Sequence, residues 1–255
     1  MKLLFVGDVV GESGCDFLYK NIYKIKMENS IDITVVNGEN SAQGNGITPR
    51  SMESLFSMGV DVITTGNHCF RRKESMDIYD NNNCVIRPAN FPAGAPGSGI
   101  AVIDKAPYKI AVINLIGTMY LDSFDNPFNV IDEILKDVDT PNIIVDFHAE
   151  ATSEKKAMGF YLQNKVTAVL GTHTHVQTAD ECILGGHTAY ITDVGMAGPE
   201  NSVLGIDKDI IISKFKNKMP VRFIESAEKC FINAVVLDFD EKTGKANDIK
   251  RLIVR

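Results

Sequence analysis

Four of the five histidines in this sequence, His68, His148, His173 and His175, follow directly on short apolar runs, and Asp8, Glu39, Asn40 and Asn67 are placed in the same way. The clusters read Gly7-Asp8, Asn37-Gly38-Glu39-Asn40, Gly66-Asn67-His68, Gly171-Thr172-His173-Thr174-His175, and His148 behind Ile143 to Phe147. Taken singly, each has an ordinary explanation. A lone aspartate after a strand is more often a turn or a helix cap, asparagine and glycine suit turns, and H-x-H pairs arise by chance. Together they demand more. Alternating residues of an extended segment project to one side, so His173 and His175 are expected to bring two imidazoles to one metal cluster. Carboxylate, amide oxygen and imidazole suit borderline and hard divalent ions such as manganese, iron or zinc. No cysteines cluster as a structural zinc site would require. Two metals about 4 Å apart can share a bridging carboxylate and a bridging hydroxide, which is the chemistry of phosphoester hydrolysis. Glu39 is the candidate bridge, because its two oxygens can each engage one cation.

Such a site needs elements that end at one place. Strands are expected over 3–6, 33–36, 62–65, 100–103, 110–114, 143–147, 166–170, 189–192 and 232–239, and helices over 15–28, 49–58, 73–81, 130–136 and 153–163. Thr48 should cap the second helix, with Pro49 in its first turn and Gly59 past its end. Alternation of strand and helix argues for an α/β layered fold, in which ligands gather beyond the carboxyl ends of strands. Five clusters at five strand ends therefore imply one site.

The 255 residues, 44% of them apolar, suit a single domain over 1–255. A net charge of −7 offers no general surface for polyanions and favours a small charged substrate. No apolar stretch approaches the roughly 20 residues that span a bilayer, so no membrane partner is expected. Met1 to Asp8 is too short an apolar run for a secretory leader and reads as a first strand. Five scattered cysteines without a C-x-x-C pair fit reduced thiols and a cytoplasmic location.

The ordered set Gly7-Asp8, Gly38-Glu39-Asn40, Gly66-Asn67-His68, His148 and Gly171 to His175 resembles the calcineurin-like metallophosphoesterase superfamily. Val6 to Gly11, Val36 to Ala42, Arg87 to Pro92, Asp146 to Lys155, Gly171 to Asp180 and Thr192 to Met196 are similar to its YmdB subfamily. Against the wider superfamily, Val10 stands in place of a histidine, Glu39 in place of the bridging aspartate and Cys69 in place of a glutamate. The resemblance implies a four-layer αββα sandwich, a homo-oligomer, and phosphodiesterase activity on cyclic nucleotides, 2′,3′-cyclic ones included. It also implies a division of ligands: Asp8, Glu39, Asn40 and His175 around one metal, with Asn40 substituting for the missing histidine, and Glu39, Asn67, His148 and His173 around the other. Iron and manganese are the expected metals, with zinc as an alternative. His68 is left beside the phosphate as the catalytic residue, donating a proton to the leaving oxygen or stabilising its charge.

A phosphomonoesterase or protein phosphatase with the same metals, and a metal-bound regulator that binds a nucleotide or an RNA-related ligand, stay open. Gly94 to Gly99 precedes a strand instead of opening a helix and reads as a loop. Arg71-Arg72-Lys73 reads as a solvated face, His187 as a turn residue and Cys69 as a small buried residue. Gly117 to Phe128 is too irregular for a core strand and suits a roof over the site or a contact between subunits.

Overall fold

The computed structural model describes residues 1–255, in the order β1 (Lys2–Val6), β2 (Asp8–Val9), α1 (Gly11–Asn29), β3 (Ile33–Asn37), α2 (Pro49–Ser57), β4 (Val62–Thr64), α3 (Met76–Asn81), β5 (Ile100–Lys105), β6 (Tyr108–Ile116), α4 (Pro127–Asp137), β7 (Ile143–His148), α5 (Thr152–Tyr161), β8 (Ala168–Thr172), β9 (Cys182–Leu184), β10 (Thr188–Ile191), β11 (Met196–Pro199), α6 (Lys208–Asn217), β12 (Cys230–Phe239) and β13 (Ala246–Val254). One sheet runs β2-β11-β12-β1-β3-β4 with β13 on β12, and the other runs β5-β6-β7-β8-β10-β9.

Side-chain alternation explains the layers. On β1, Leu3 and Phe5 face Ile110, Val112, Ile144 and Leu170 of the second sheet, while Leu4 and Val6 face Leu18, Ile22 and Ile25 of α1. On the far side, Ile113, Val145 and Phe147 pack on Ile131 of α4 and Met158 of α5. The result is helix, sheet, sheet, helix: the four-layer αββα sandwich. Each Leu, Ile or Phe buried in these seams contributes about 1.5–3 kcal/mol.

Strands β1, β3 and β4 run parallel in the first sheet, and β6, β7, β8 and β10 in the second. Polar pairs stitch the sheets together at the carboxyl ends of these strands. Asn37 donates to Asp146 at 3.0 Å, and the Thr65 amide donates to the Asn114 side chain at 3.1 Å. Buried and satisfied, such bonds hold the two sheets in one relative position beneath the loops.

All the expected strands and helices are present, with shifted ends. Thr48 caps α2 as expected, accepting from the Ser51 amide at 3.2 Å, and Gly59 follows with φ +75°. The helix expected over 73–81 begins as a 3-10 turn, Lys73–Ser75, before α3. Elements not foreseen are β2, β9, β11, β13 and α6. Arg72 departs from the solvated-face reading: its guanidinium donates to the carbonyls of Asn45, at 3.0 Å, and Gln43, pinning the 43–45 loop. His187 lies in the β9–β10 turn and Cys69 is fully buried, as read from the sequence. No helix is long and apolar enough to cross a membrane.

Candidate metal centre

The expected site residues arrive on separate loops and converge. Asp8 opens β2, Glu39 and Asn40 follow β3, Asn67 and His68 follow β4, His148 ends β7, and His173 and His175 follow β8. Glu39 lies at the centre. Its Oε1 is 3.3 Å from His148 Nε2, 3.1 Å from His68 Nδ1 and 3.0 Å from Asn40 Nδ2, and its Oε2 accepts from the His68 amide at 3.0 Å. On one flank, His148 Nε2 meets Asn67 Oδ1 at 3.0 Å and His173 Nδ1 at 3.1 Å. On the other, His175 Nε2 lies 3.3 Å from Asn40 Nδ2 and 3.7 Å from Asp8 Oδ1. Gly66 leaves this space open, because a Cβ there would fall 2.3 Å from His148 Nε2 and 2.4 Å from Glu39 Oε2.

The hydrogen bonds on the outer side of each ring fix which nitrogen faces inward. His175 Nδ1 meets the Leu204 carbonyl at 3.3 Å, which can only accept, so Nδ1 carries the hydrogen and Nε2 presents a lone pair. His173 Nε2 is held at 3.0 Å by Glu150, leaving Nδ1 for the cluster. Thr172 donates its single hydroxyl proton to Asp146 at 2.7 Å and therefore accepts from His148 Nδ1 at 2.9 Å, which leaves His148 Nε2 as the inward atom. His148 and His173 thus aim nitrogens at one flank of Glu39 and His175 at the other, each ring held from behind in the manner of metal-ligating histidines.

Electrostatics fit a cation at this point. Burial alone would push Glu39 up, but the charges of His148 and His68 and their hydrogen bonds outweigh it and hold the carboxyl well below the usual carboxylate range. Burial alone would push His148 down, but Glu39, Asp8 and Asp146 outweigh it and lift His148 to about 9. Burial and the His148 charge push His173 down to about 3, so it stands as a neutral imidazole. Burial raises Asp8, whose Oδ1 is buried without a hydrogen-bond partner. A proton shared among buried carboxylates and imidazoles is what a divalent cation displaces on binding. Glu39, His148 and His173 bring ligand atoms within 4.8 Å of one another, and that group together with the orphaned Asp8 oxygen fits divalent metal.

The family model of YmdB-like proteins matches residues 4–252. The chain belongs to the YmdB-like family. It is 46% identical over 256 aligned residues to a protein of Bacillus subtilis (strain 168) named 2′,3′-cyclic-nucleotide 2′-phosphodiesterase, covering 100% of this chain and 97% of that protein. A crystal structure described as a novel phosphatase of Mycoplasma pneumoniae superposes with a TM-score of 0.95 at 34% identity, covering 100% of this chain and 93% of that one. A hypothetical protein of Thermus thermophilus superposes with a TM-score of 0.94 at 34% identity, covering 99% of this chain and 98% of that one.

In this YmdB-like chain, one local expectation fails. The His173-Thr174-His175 segment is not extended: His173 has φ +100° and His175 φ +63°, so the rings reach the cluster from left-handed backbone instead of by strand alternation. Asn40 turns its Nδ2 toward Glu39 and His175 and its Oδ1 toward His68 at 3.0 Å, the reverse of an oxygen ligand facing His175. Oxygen and nitrogen of an amide differ by a half-turn of the terminal torsion, so this position can offer either atom to the site. Val10 and Cys69, which depart from the wider superfamily, are both buried and lie outside the ring of polar atoms. Sequence reasoning assigned no role to Asp146, Glu150, Thr172 or Asp193. Asp146 and Thr172 lie inside apolar strands, where a polar residue reports burial but not its partner.

Proposed function

We propose that this chain is a metal-dependent phosphodiesterase acting on cyclic nucleotides, 2′,3′-cyclic ones included, with two divalent cations held by Asp8, Glu39, Asn40, Asn67, His148, His173 and His175. The observation that carries the reading is the position of Glu39, fully buried between the Asp8, Asn40 and His175 flank and the Asn67, His148 and His173 flank. The name and full-length identity of the Bacillus subtilis relative support the substrate class. Iron or manganese, with zinc as an alternative, suits this set of nitrogen and oxygen donors. A cytoplasmic homo-oligomer with residues 1–255 as one domain completes the reading. An RNA-related ligand is a further partner of the same site.

When bound, the cations bring the pKa of a coordinated water toward neutrality and neutralise charge on the phosphoryl oxygens. Asp8, Glu39, Asn40, Asn67 and the inward histidine nitrogens would hold them; Glu150, Thr172 and the Leu204 carbonyl keep the rings oriented. His68 turns Nδ1 toward Glu39 and Asn40, and its ring is 28% exposed, so Nε2 is the atom free to meet substrate.

Turnover of a 2′,3′-cyclic nucleotide, a nucleoside monophosphate, bis-p-nitrophenyl phosphate and a short RNA by manganese-reconstituted protein tests the reading. Diester turnover lost on chelation is expected; preference for the monoester would favour the phosphatase reading that the Mycoplasma pneumoniae description suggests. His68→Gln should lower kcat on the cyclic nucleotide, whose alkoxide leaves poorly, by about 10²-fold or more, and spare the nitrophenyl ester. Metal content should not change. Loss of a metal would make His68 a ligand, and equal losses on both esters would make it a phosphate-positioning group.

A further inference from the structure

One buried ion pair lies outside the ring of site residues and touches its most strained part. Lys155, on α5, and Asp193, after β10, are 1% and 0% exposed, with Nζ and Oδ2 at 2.7 Å. Removing two charges from water is costly, and hydrophobic residues of the same volume often serve stability as well or better. Such a pair calls for a reason beyond stability, and its hydrogen bonds supply one.

Asp193 Oδ2 also accepts from the Thr174 amide at 3.0 Å and the Thr174 hydroxyl at 2.7 Å. Thr174 is the residue between His173 and His175, which both hold left-handed φ. Non-glycine residues in that region are strained and stay there only where surrounding bonds hold them. Asp193 Oδ1 accepts from the Gly195 amide at 2.8 Å, and the Gly195 carbonyl accepts from the Asp8 amide at 3.0 Å. Asp8 Oδ2 in turn accepts from the His173 amide at 3.1 Å. A single carboxylate therefore grips the histidine loop with one oxygen and, through Gly195, the Asp8 backbone with the other. Lys155 approaches from the opposite side, its stem against Gly171, where a Cβ would lie 3.2 Å from the Lys155 Cδ.

We propose that Asp193, with Lys155 as its counter-ion, is a positioning group that sets the spacing between Asp8 and the paired histidines His173 and His175, and so sets metal affinity. This rests on the reading that those three residues hold metal. Lys155 balances the carboxylate so that its lone pairs stay on Thr174 and Gly195. Neither residue touches substrate.

Thr174→Val is the sharpest test, because it removes one hydroxyl of the grip at nearly constant volume and leaves the ion pair whole. Manganese titration of folded, metal-free protein by calorimetry, with the melting temperature of the same metal-free samples, separates positioning from stability. Loss of a hydrogen bond to a charged group lowers the metal-free melting temperature by a few degrees whatever its purpose; the proposal predicts, in addition, manganese affinity weakened by about tenfold or more. Lys155→Met should weaken manganese binding in the same direction and also lower the melting temperature. If Lys155→Met fails to fold, Thr174→Val decides alone. Wild-type affinity in Thr174→Val would overturn the proposal and leave Lys155–Asp193 as a staple of the fold. No manganese binding by the wild type would remove the metal reading itself, a result the mutants cannot mimic.

Discussion

Gly66→Ala isolates the space at the centre of the site. Gly66 does not have a positive φ, so alanine fits its backbone, and any effect must come from the added methyl. That methyl would lie 2.3 Å from both Nε2 and Cδ2 of His148 and 2.4 Å from Glu39 Oε2, where ordinary contact begins near 3.4 Å. His148 and Glu39 are fully buried and cannot swing into solvent. One of them must retreat by about 1 Å, and misplacement on that scale costs about 10²-fold in rate. Overpacking of this kind destabilises by about 1–3 kcal/mol, a few degrees of melting temperature in a chain of this size. The variant should therefore remain folded by circular dichroism, bind manganese poorly, and lose about 10²-fold in kcat/KM on a cyclic nucleotide. Wild-type metal content together with activity within about threefold of wild type would mean that Glu39 and His148 are not in the metal shell, and the assignment of the site would fail.

Glu39→Gln should impair binding of both manganese equivalents, since Glu39 is the group between the two flanks, whereas Asn67→Ala should weaken chiefly one; loss of a single site in both variants would end the bridging role. Asp180 gives a pH dependence away from the metal. Partial burial alone would raise its carboxyl, but Lys156 at 2.7 Å and donors on Thr192 and Thr178 outweigh it and hold the carboxyl well below the usual carboxylate range. A depressed folded pKa contributes stability above the unfolded value near 3.9 and loses it as pH falls through the folded one. Asp180→Asn should thus melt below wild type at neutral pH, with the gap narrowing progressively below about pH 4; a gap independent of pH in calorimetric scans would show that charge is not its origin.

Much of this architecture was legible because it rests on local patterns. Runs such as Leu3-Leu4-Phe5-Val6 and Ile33-Thr34-Val35-Val36 are strands buried on both faces, and the switch to Gly-Asp or Asn-Gly-Glu-Asn marks where each leaves the sheet. The elements missed owe their state to partners. Met196–Pro199, with a glycine and a proline, has poor strand propensity and is a strand because β12 and β2 flank it. Ala246–Val254 carries Asn247, Asp248, Lys250 and Arg251 on an exposed edge paired only with β12, and so reads as a polar tail. Lys208–Asn217 contains Ile210-Ile211-Ile212, a strand-like triplet, yet Asp207 caps it by accepting from the amides of Asp209 and Ile210 at 3.0 and 3.1 Å.

The same division runs through the site. Residue types able to hold metal can be read one by one, because carboxylates, amides and imidazoles after strands are unusual in combination. What orients them cannot, because each partner comes from elsewhere in the chain: Leu204 lies 29 residues beyond His175, and Thr172 lies 24 beyond His148. Lys155 shows the difficulty most sharply. A lysine on a polar helix reads as solvated, and only the approach of Asp193, 38 residues away, explains its burial. A left-handed H-x-H loop is equally hidden, since neither histidine favours that backbone on its own; bonds from Asp8 and Asp193 hold it there. The strain lies at His173 and His175, one on each flank of the site, and its restraint comes from Asp8 and Asp193. Loosening that restraint should therefore register in metal affinity as well as in the fold.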